Sequence, residues 1–112
     1  APKIFSSDCQ VNWELSATHL HNQIRGLSPF PGAFTHLIQE NGLQQIVKLY
    51  RSKLHSANIS NKPGVIQVSN GKLIVQTGTS ALEILELQLE GKKRMAAADF
   101  LRGNNIEGCL MR

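Results

Sequence analysis

The sequence predicts a mainly β fold: a small antiparallel barrel, entered through a helix and closed by a second, shorter one. Three observations predict it. Short apolar runs of strand length recur between Asn-Gly, Ser-Asn-Gly and Gly breaks, the pattern of a meander joined by tight turns. One helical repeat stands ahead of them and ends at a pair of prolines. At 112 residues, with 41% hydrophobic and 18% charged residues, the chain has the material for one domain around one core.

Ser16 is suited to cap the first helix, because its hydroxyl can accept from a free amide of the opening turn. Leu20, Ile24 and Leu27 then recur at helical spacing. Pro29 and Pro31 each remove a backbone donor and bias the preceding residue to an extended conformation, so Pro29-Phe30-Pro31-Gly32 reads as a rigid elbow. Residues 1–31 are thus expected to be linker, helix and elbow, and residues 32–112 the barrel. Ala33 to Ile38 reads as the first strand, and Glu40-Asn41-Gly42 as a hairpin turn. Leu43 to Ala57 is ambiguous. Leu43, Ile46, Val47, Tyr50 and Leu54 would line one helical face, whereas Ile46, Lys48, Tyr50, Ser52 and Leu54 alternate as in a strand.

The remainder is clearer. Val65 to Val68, a Ser69-Asn70-Gly71 turn, Lys72 to Thr77, a break at Gly78 and Ala81 to Leu89 read as successive antiparallel strands. Ala97 to Arg102 reads as a short helix stopped by Gly103. The order is helix, elbow, about five strands, short helix. A small barrel of the oligonucleotide/oligosaccharide-binding type is the architecture that order suggests.

The search for chemistry finds no catalytic constellation. His19 and His21 on a helix would point roughly 200° apart, and His36 and His55 have no partners at ligand spacing, so no metal site is expected. Neither glycine-rich phosphate loop occurs. Cys9 and Cys109 belong to no CxxC pair and are expected to be free thiols of a reducing cytoplasm. Glu83, Glu86 and Glu90 read as the solvated face of a strand. No apolar run approaches the ~20 residues that cross a bilayer, so no membrane partner is expected. Nothing in the sequence demands more than a monomer. The absence of an initiating Met before Ala1 suggests a processed chain or one cut from a longer protein.

The basic residues are better placed. Twelve Lys and Arg against eight Asp and Glu give a net charge of +4, which favours a polyanionic partner. Lys92-Lys93-Arg94 stands on the connection between the last long strand and the final helix, which carries Arg102. Lys48, Arg51 and Lys53 form a second group. On a regular strand Lys48 would face away from Arg51 and Lys53, so one continuous patch requires a bulge or an edge position. The alternative is a solvated loop with incidental charge. Of the six aromatics, only Phe34 and Tyr50 lie on predicted strands, a poor platform for stacking single-stranded bases. An RNA partner would therefore be held through the phosphates of a folded, largely duplex molecule.

At this point the residues resemble a family. Val11 to Thr35, VNWELSATHLHNQIRGLSPFPGAFT, looks like the entry to the C-terminal domain of methionyl-tRNA formyltransferases. Pro63-Gly64-Val65-Ile66 and Thr77-Gly78 match that family's strand starts. Leu87-Gln88-Leu89-Glu90-Gly91-Lys92-Lys93-Arg94-Met95, followed by Asp99-Phe100-Leu101-Arg102-Gly103, matches its closing signature. The resemblance implies a barrel of the oligonucleotide-binding type and a strand at Leu43 to Leu54. It implies a parent enzyme that moves a formyl group from 10-formyltetrahydrofolate to the methionine of initiator methionyl-tRNA. The chemistry would belong to a preceding, N-terminal formyltransferase domain, and this chain would be non-catalytic and hold no cofactor.

The resemblance further implies a positively charged surface for tRNA. Only Lys92 and Lys93 fall on the matched Gly-Lys-Lys; Arg94, Arg102, Lys48, Arg51 and Lys53 are added as neighbouring candidates. Trp13, Arg25, Pro29, Phe30 and Pro31 are expected to orient the linker and dock the barrel on the N-terminal domain, Arg25 through an ion pair or through RNA. The alternatives are a structural barrel of a related formyltransferase that binds no tRNA, and a stand-alone nucleic-acid-binding module.

Overall fold

The computed structural model describes residues 9–27, 32–55, 58–59, 62–103, 106 and 109–112. Helix α1 (Ala17–Leu27) begins where Ser16 Oγ accepts from the amide of His19 at 3.1 Å, the cap its sequence predicts. A second hydroxyl, Thr79 Oγ1, accepts from the Ala17 amide at 3.1 Å and ties the helix start to the connection that follows Gly78. Leu20 and Ile24, one turn apart, are buried and set the face that α1 turns to the barrel. The elbow residues Pro29, Phe30 and Pro31 lie outside the described residues.

Strand β1 (Ala33–Ile38) pairs antiparallel with β2 (Gln44–His55) across a turn in which Gly42 takes φ +89°. The ambiguous segment is thus a strand. Strands β3 (Ile66–Ser69) and β4 (Lys72–Gln76) form the tightest hairpin, with Asn70 and Gly71 both left-handed at φ 52° and 75°. β5 (Ala81–Leu89) follows, then β6 (Met95–Ala96), helix α2 (Ala97–Gly103) and β7 (Leu110–Met111). The described residues therefore hold seven strands where about five were expected. The additional two, β6 and β7, have two residues each and owe their pairing to neighbours rather than to a pattern of their own.

The sheet runs β3-β4-β5-β2-β1-β7, with β6 on β5, and its ends nearly meet. Val65 bridges Leu110, and the Met111 amide donates to the carbonyl of Gly64 at 2.9 Å. Gly64 is at φ +91°, and a Cβ there would stand 2.3 Å from the Met111 carbonyl oxygen, so the seam accepts no side chain. Inside the barrel, Leu37, Val47, Leu49, Leu73, Val75, Leu82 and Leu87 pack against Leu20 and Ile24 of α1 and Phe100 of α2.

The β2–β5 ladder is irregular at one place. Leu49 pairs with Leu87, Arg51 with Glu86, and Ser52 with Ile84, so Tyr50 on one strand and Leu85 on the other are each an extra residue. Which side chains reach the outer face depends on this double bulge.

Candidate nucleic-acid interface

Directly opposed residues of an antiparallel pair project to the same side of the sheet. Val47 opposite Leu89, and Leu49 opposite Leu87, are buried and face the core. Lys48 opposite Gln88 therefore faces outward. Without the extra Tyr50, Arg51 would have turned into the barrel; with it, Arg51 comes to lie opposite Glu86, on the outer side with Lys48. Beyond the second irregularity Ile84 faces the core opposite Ser52, and Lys53 stands outward opposite Glu83. Lys48, Arg51 and Lys53 thus share one face, which a regular strand would not allow.

The connection after β5 folds back over the same face. The Lys92 amide donates to the carbonyl of Leu89 at 2.9 Å, closing a turn in which Gly91 takes φ +79°. Gln88 spans the region with both ends of its amide: Oε1 accepts from the Tyr50 hydroxyl at 2.6 Å, and Nε2 donates to the Lys92 carbonyl at 2.8 Å. Arg94 Nε forms an ion pair with Glu86, and its guanidinium carbon lies 4.3 Å from the centre of the Tyr50 ring. The two basic groups of the sequence are one surface. Its cations outnumber the carboxylates Glu83, Glu86 and Glu90, and Arg51, Lys53, Lys92 and Lys93 have no ion pair among the described residues.

Two expected residues lie at its margins. Arg25, on α1, is exposed, donates from its guanidinium to Asn22 Oδ1 at 2.9 Å, and lines a depression of about 240 Å³ with His21, Tyr50, Arg51 and Ser52. Arg102 is on α2 and pairs with Asp99 of its own helix rather than with Glu83, Glu86 or Glu90. Trp13 is buried in the core, its indole Nε1 donating to Thr35 Oγ1 at 2.8 Å.

Among the described residues no group of His, Cys, Asp or Glu could hold a metal ion, and no helix is long and apolar enough to cross a membrane. Cys9 and Cys109 are both free and buried; burial, with Glu40 nearby, pushes the Cys109 thiol above its ordinary 9.0. The described aromatics, Trp13, Phe34, Tyr50 and Phe100, are all buried, so none is open for a base to stack on.

Sequence reasoning missed the roles of the residues that organise the surface: Glu86 reads as solvated face, Gln88 only as part of the closing signature, and Tyr50 as a member of an ambiguous repeat and a stacking ring. The one available signal was the failure of Leu43 to Leu54 to alternate cleanly, which is how a bulge appears in a sequence.

The comparisons with known proteins concern nearly the whole chain. A family model described as "Formyl transferase, C-terminal domain" matches residues 3–105. The chain is similar to the methionyl-tRNA formyltransferase of Protochlamydia amoebophila, with 43% identity over 92% of this chain and 32% of that protein. It is similar to those of Rubrobacter xylanophilus, 38% identical over 100% of this chain and 36% of that protein, and Chlorobium chlorochromatii, 40% identical over 100% and 35%. The chain spans about a third of the length of these curated relatives.

Proposed function

This chain belongs to the family of formyl transferase C-terminal domains, and on that premise we propose that it binds and positions initiator methionyl-tRNA for a methionyl-tRNA formyltransferase. In this reading the formyl transfer of translation initiation occurs in the cytoplasm, on an N-terminal formyltransferase domain that uses 10-formyltetrahydrofolate. The barrel contributes no catalytic group and binds no cofactor. It works as a monomer, with that domain and the tRNA as its partners.

The observation that carries the reading is the double bulge at Tyr50 and Leu85, which sets Lys48, Arg51 and Lys53 beside the Gly91–Arg94 turn. A regular ladder would divide these cations between core and solvent. Gathered on one face, they present a concentration of positive charge to a polyanion, and Arg51, Lys53, Lys92 and Lys93 form no ion pair among the described residues. The burial of every described aromatic ring speaks for phosphate and shape rather than for stacked single strands. Arg25 at the rim extends the basic face toward α1.

Such a surface serves catalysis without touching the reacting atoms. An aminoacyl end reaches a formyl donor productively only if the rest of a long stem is held in place. Binding energy gained far from the reaction then goes into orientation and raises the rate of transfer as well as occupancy. Cations beside the active domain also concentrate the polyanion locally.

The test is a titration with initiator tRNA across a salt series, comparing the wild type with Lys92→Glu/Lys93→Glu. The expected result is binding that weakens as salt rises and is largely lost in the double variant. Equal binding by two folded proteins would overturn the assignment and leave the barrel a structural brace.

A further inference from the structure

We infer that Gln88, Tyr50 and Glu86 form a strut that fixes the Lys92–Arg94 turn, that Arg94 belongs to this strut, and that Lys92 and Lys93 are the residues of the turn that meet phosphate. The inference rests on the basic-face reading above and divides the labour within it.

Gln88 is the centre of the device. Its two amide ends hold two different elements, the Tyr50 ring on β2 and the backbone of the turn at Lys92. The orientation of the amide is determined by chemistry. A carbonyl can accept but not donate, so the nitrogen must face Lys92 and the oxygen is left for the Tyr50 hydroxyl. Gly91 gives the turn its left-handed residue, and a Cβ there would meet open space, so the turn is not held by packing around it. The Lys92–Leu89 backbone bond and the Gln88 amide hold it instead.

Arg94 is committed on two sides. Its Nε meets the Glu86 carboxylate, and its guanidinium covers the face of Tyr50, which lies on the outer side yet remains only 7% exposed. Arg94 and Glu86 together bring no net charge to the surface. A phosphate approaching Arg94 would have to displace or share the Glu86 carboxylate. Lys92 and Lys93 carry charge on exposed side chains with no ion pair among the described residues. Arg94, Glu86, Tyr50 and Gln88 are therefore positioning residues: they hold two lysines in one arrangement before RNA arrives, which lowers the ordering cost of binding.

The test sets single-charge removals at the two lysines against charge-neutral changes in the strut, so that the salt slope separates phosphate contact from positioning. Initiator tRNA is titrated over a salt series with the wild type, Lys92→Gln, Lys93→Gln, Gln88→Leu and the double variant Arg94→Gln/Glu86→Gln. Each lysine variant should lower the slope of log affinity against log salt by about one. Gln88→Leu and the double variant should keep the wild-type slope and weaken binding roughly three- to tenfold through lost preorganisation. A slope lowered by the double variant would make Arg94 a phosphate contact and overturn the assignment. Hydrogen exchange on the free protein is the second measurement, with faster exchange expected at Lys92–Arg94 in Gln88→Leu. Unchanged exchange there would overturn the strut even if the lysines bind. No salt-dependent binding by the wild type would overturn the basic-face reading itself, while exchange would still decide whether Gln88 holds the turn.

Discussion

Trp13 and Thr35 are joined by a buried hydrogen bond of 2.8 Å from the indole Nε1–H to the threonine Oγ1. The same hydroxyl donates to the carbonyl of Arg112 at 3.1 Å. One oxygen therefore links the segment ahead of α1, the middle of β1 and the residue after β7. Thr35→Val keeps the volume but strands the Trp13 N–H in the core without an acceptor. The expected loss is about 1–3 kcal/mol, read from the urea midpoint. An unchanged midpoint would show that the bond contributes nothing.

Gly64 and Gly71 both take positive φ, yet alanine should cost different amounts at the two. At Gly71 a Cβ meets open space, so only backbone strain of about 1–2 kcal/mol is expected. At Gly64 the Cβ would sit 2.3 Å from the Met111 carbonyl, and the seam must open to receive it. Gly64→Ala should lose about 3 kcal/mol or more and expose the β7 amides to hydrogen exchange. Equal losses at the two sites would mean that the seam adds nothing to stability.

Phe100 and Arg102 lie two residues apart on α2 and should behave in opposite ways. Phe100 is fully buried and anchors the helix to the barrel, so Phe100→Ala should cost about 3–5 kcal/mol. Arg102 pairs with Asp99 in full view of solvent, and Arg102→Ala should stay within about 0.5 kcal/mol of the wild type. Thermal unfolding of the two variants checks both.

Cys109 links stability to alkaline pH. Its thiol titrates higher in the folded protein than the ordinary 9.0, because burial, and then Glu40, disfavour the thiolate. The folded state therefore binds the proton more tightly than the unfolded state. Its contribution is fully present below about pH 9 and is lost as pH rises from there through the folded value. Stability of the wild type should fall more steeply between pH 8 and pH 10 than that of Cys109→Ala. Parallel falls would remove Cys109 from the linkage.

The strands that alternate cleanly and end at recognisable turns were legible in the sequence. Ala33 to Ile38 and Ala81 to Leu89 form as read, and Ser16 caps the helix that Leu20 and Ile24 predict. Leu43 to Leu54 resisted because the bulge at Tyr50 resets the alternation mid-strand. Val47 and Leu49 face the core before it, and adjacent Tyr50 and Arg51 face the same side after it, a sequence that mimics a helical repeat. β6 and β7 are too short to carry a period at all. At the candidate interface, charge revealed the cations, whereas Glu86 and Gln88 acquire their roles only from what folding places across from them. No local pattern in the sequence marks a glutamine that bridges a tyrosine and a turn.

The seam at Gly64 and Met111 also bears on the order of assembly. It joins Val65 to Leu110, and β7 adds Met111 to Leu37, contacts between distant parts of the chain. Contacts of this kind form slowly, because a large loop must be ordered before they return any energy. Until β7 docks, the folding chain is an open sheet with the edges of β1 and β3 unpaired, able to recruit an edge from another molecule. Refolding yield should accordingly fall with protein concentration, and fall further in Gly64→Ala. Two residues at the end of the sheet separate a nearly closed barrel from a template for aggregation.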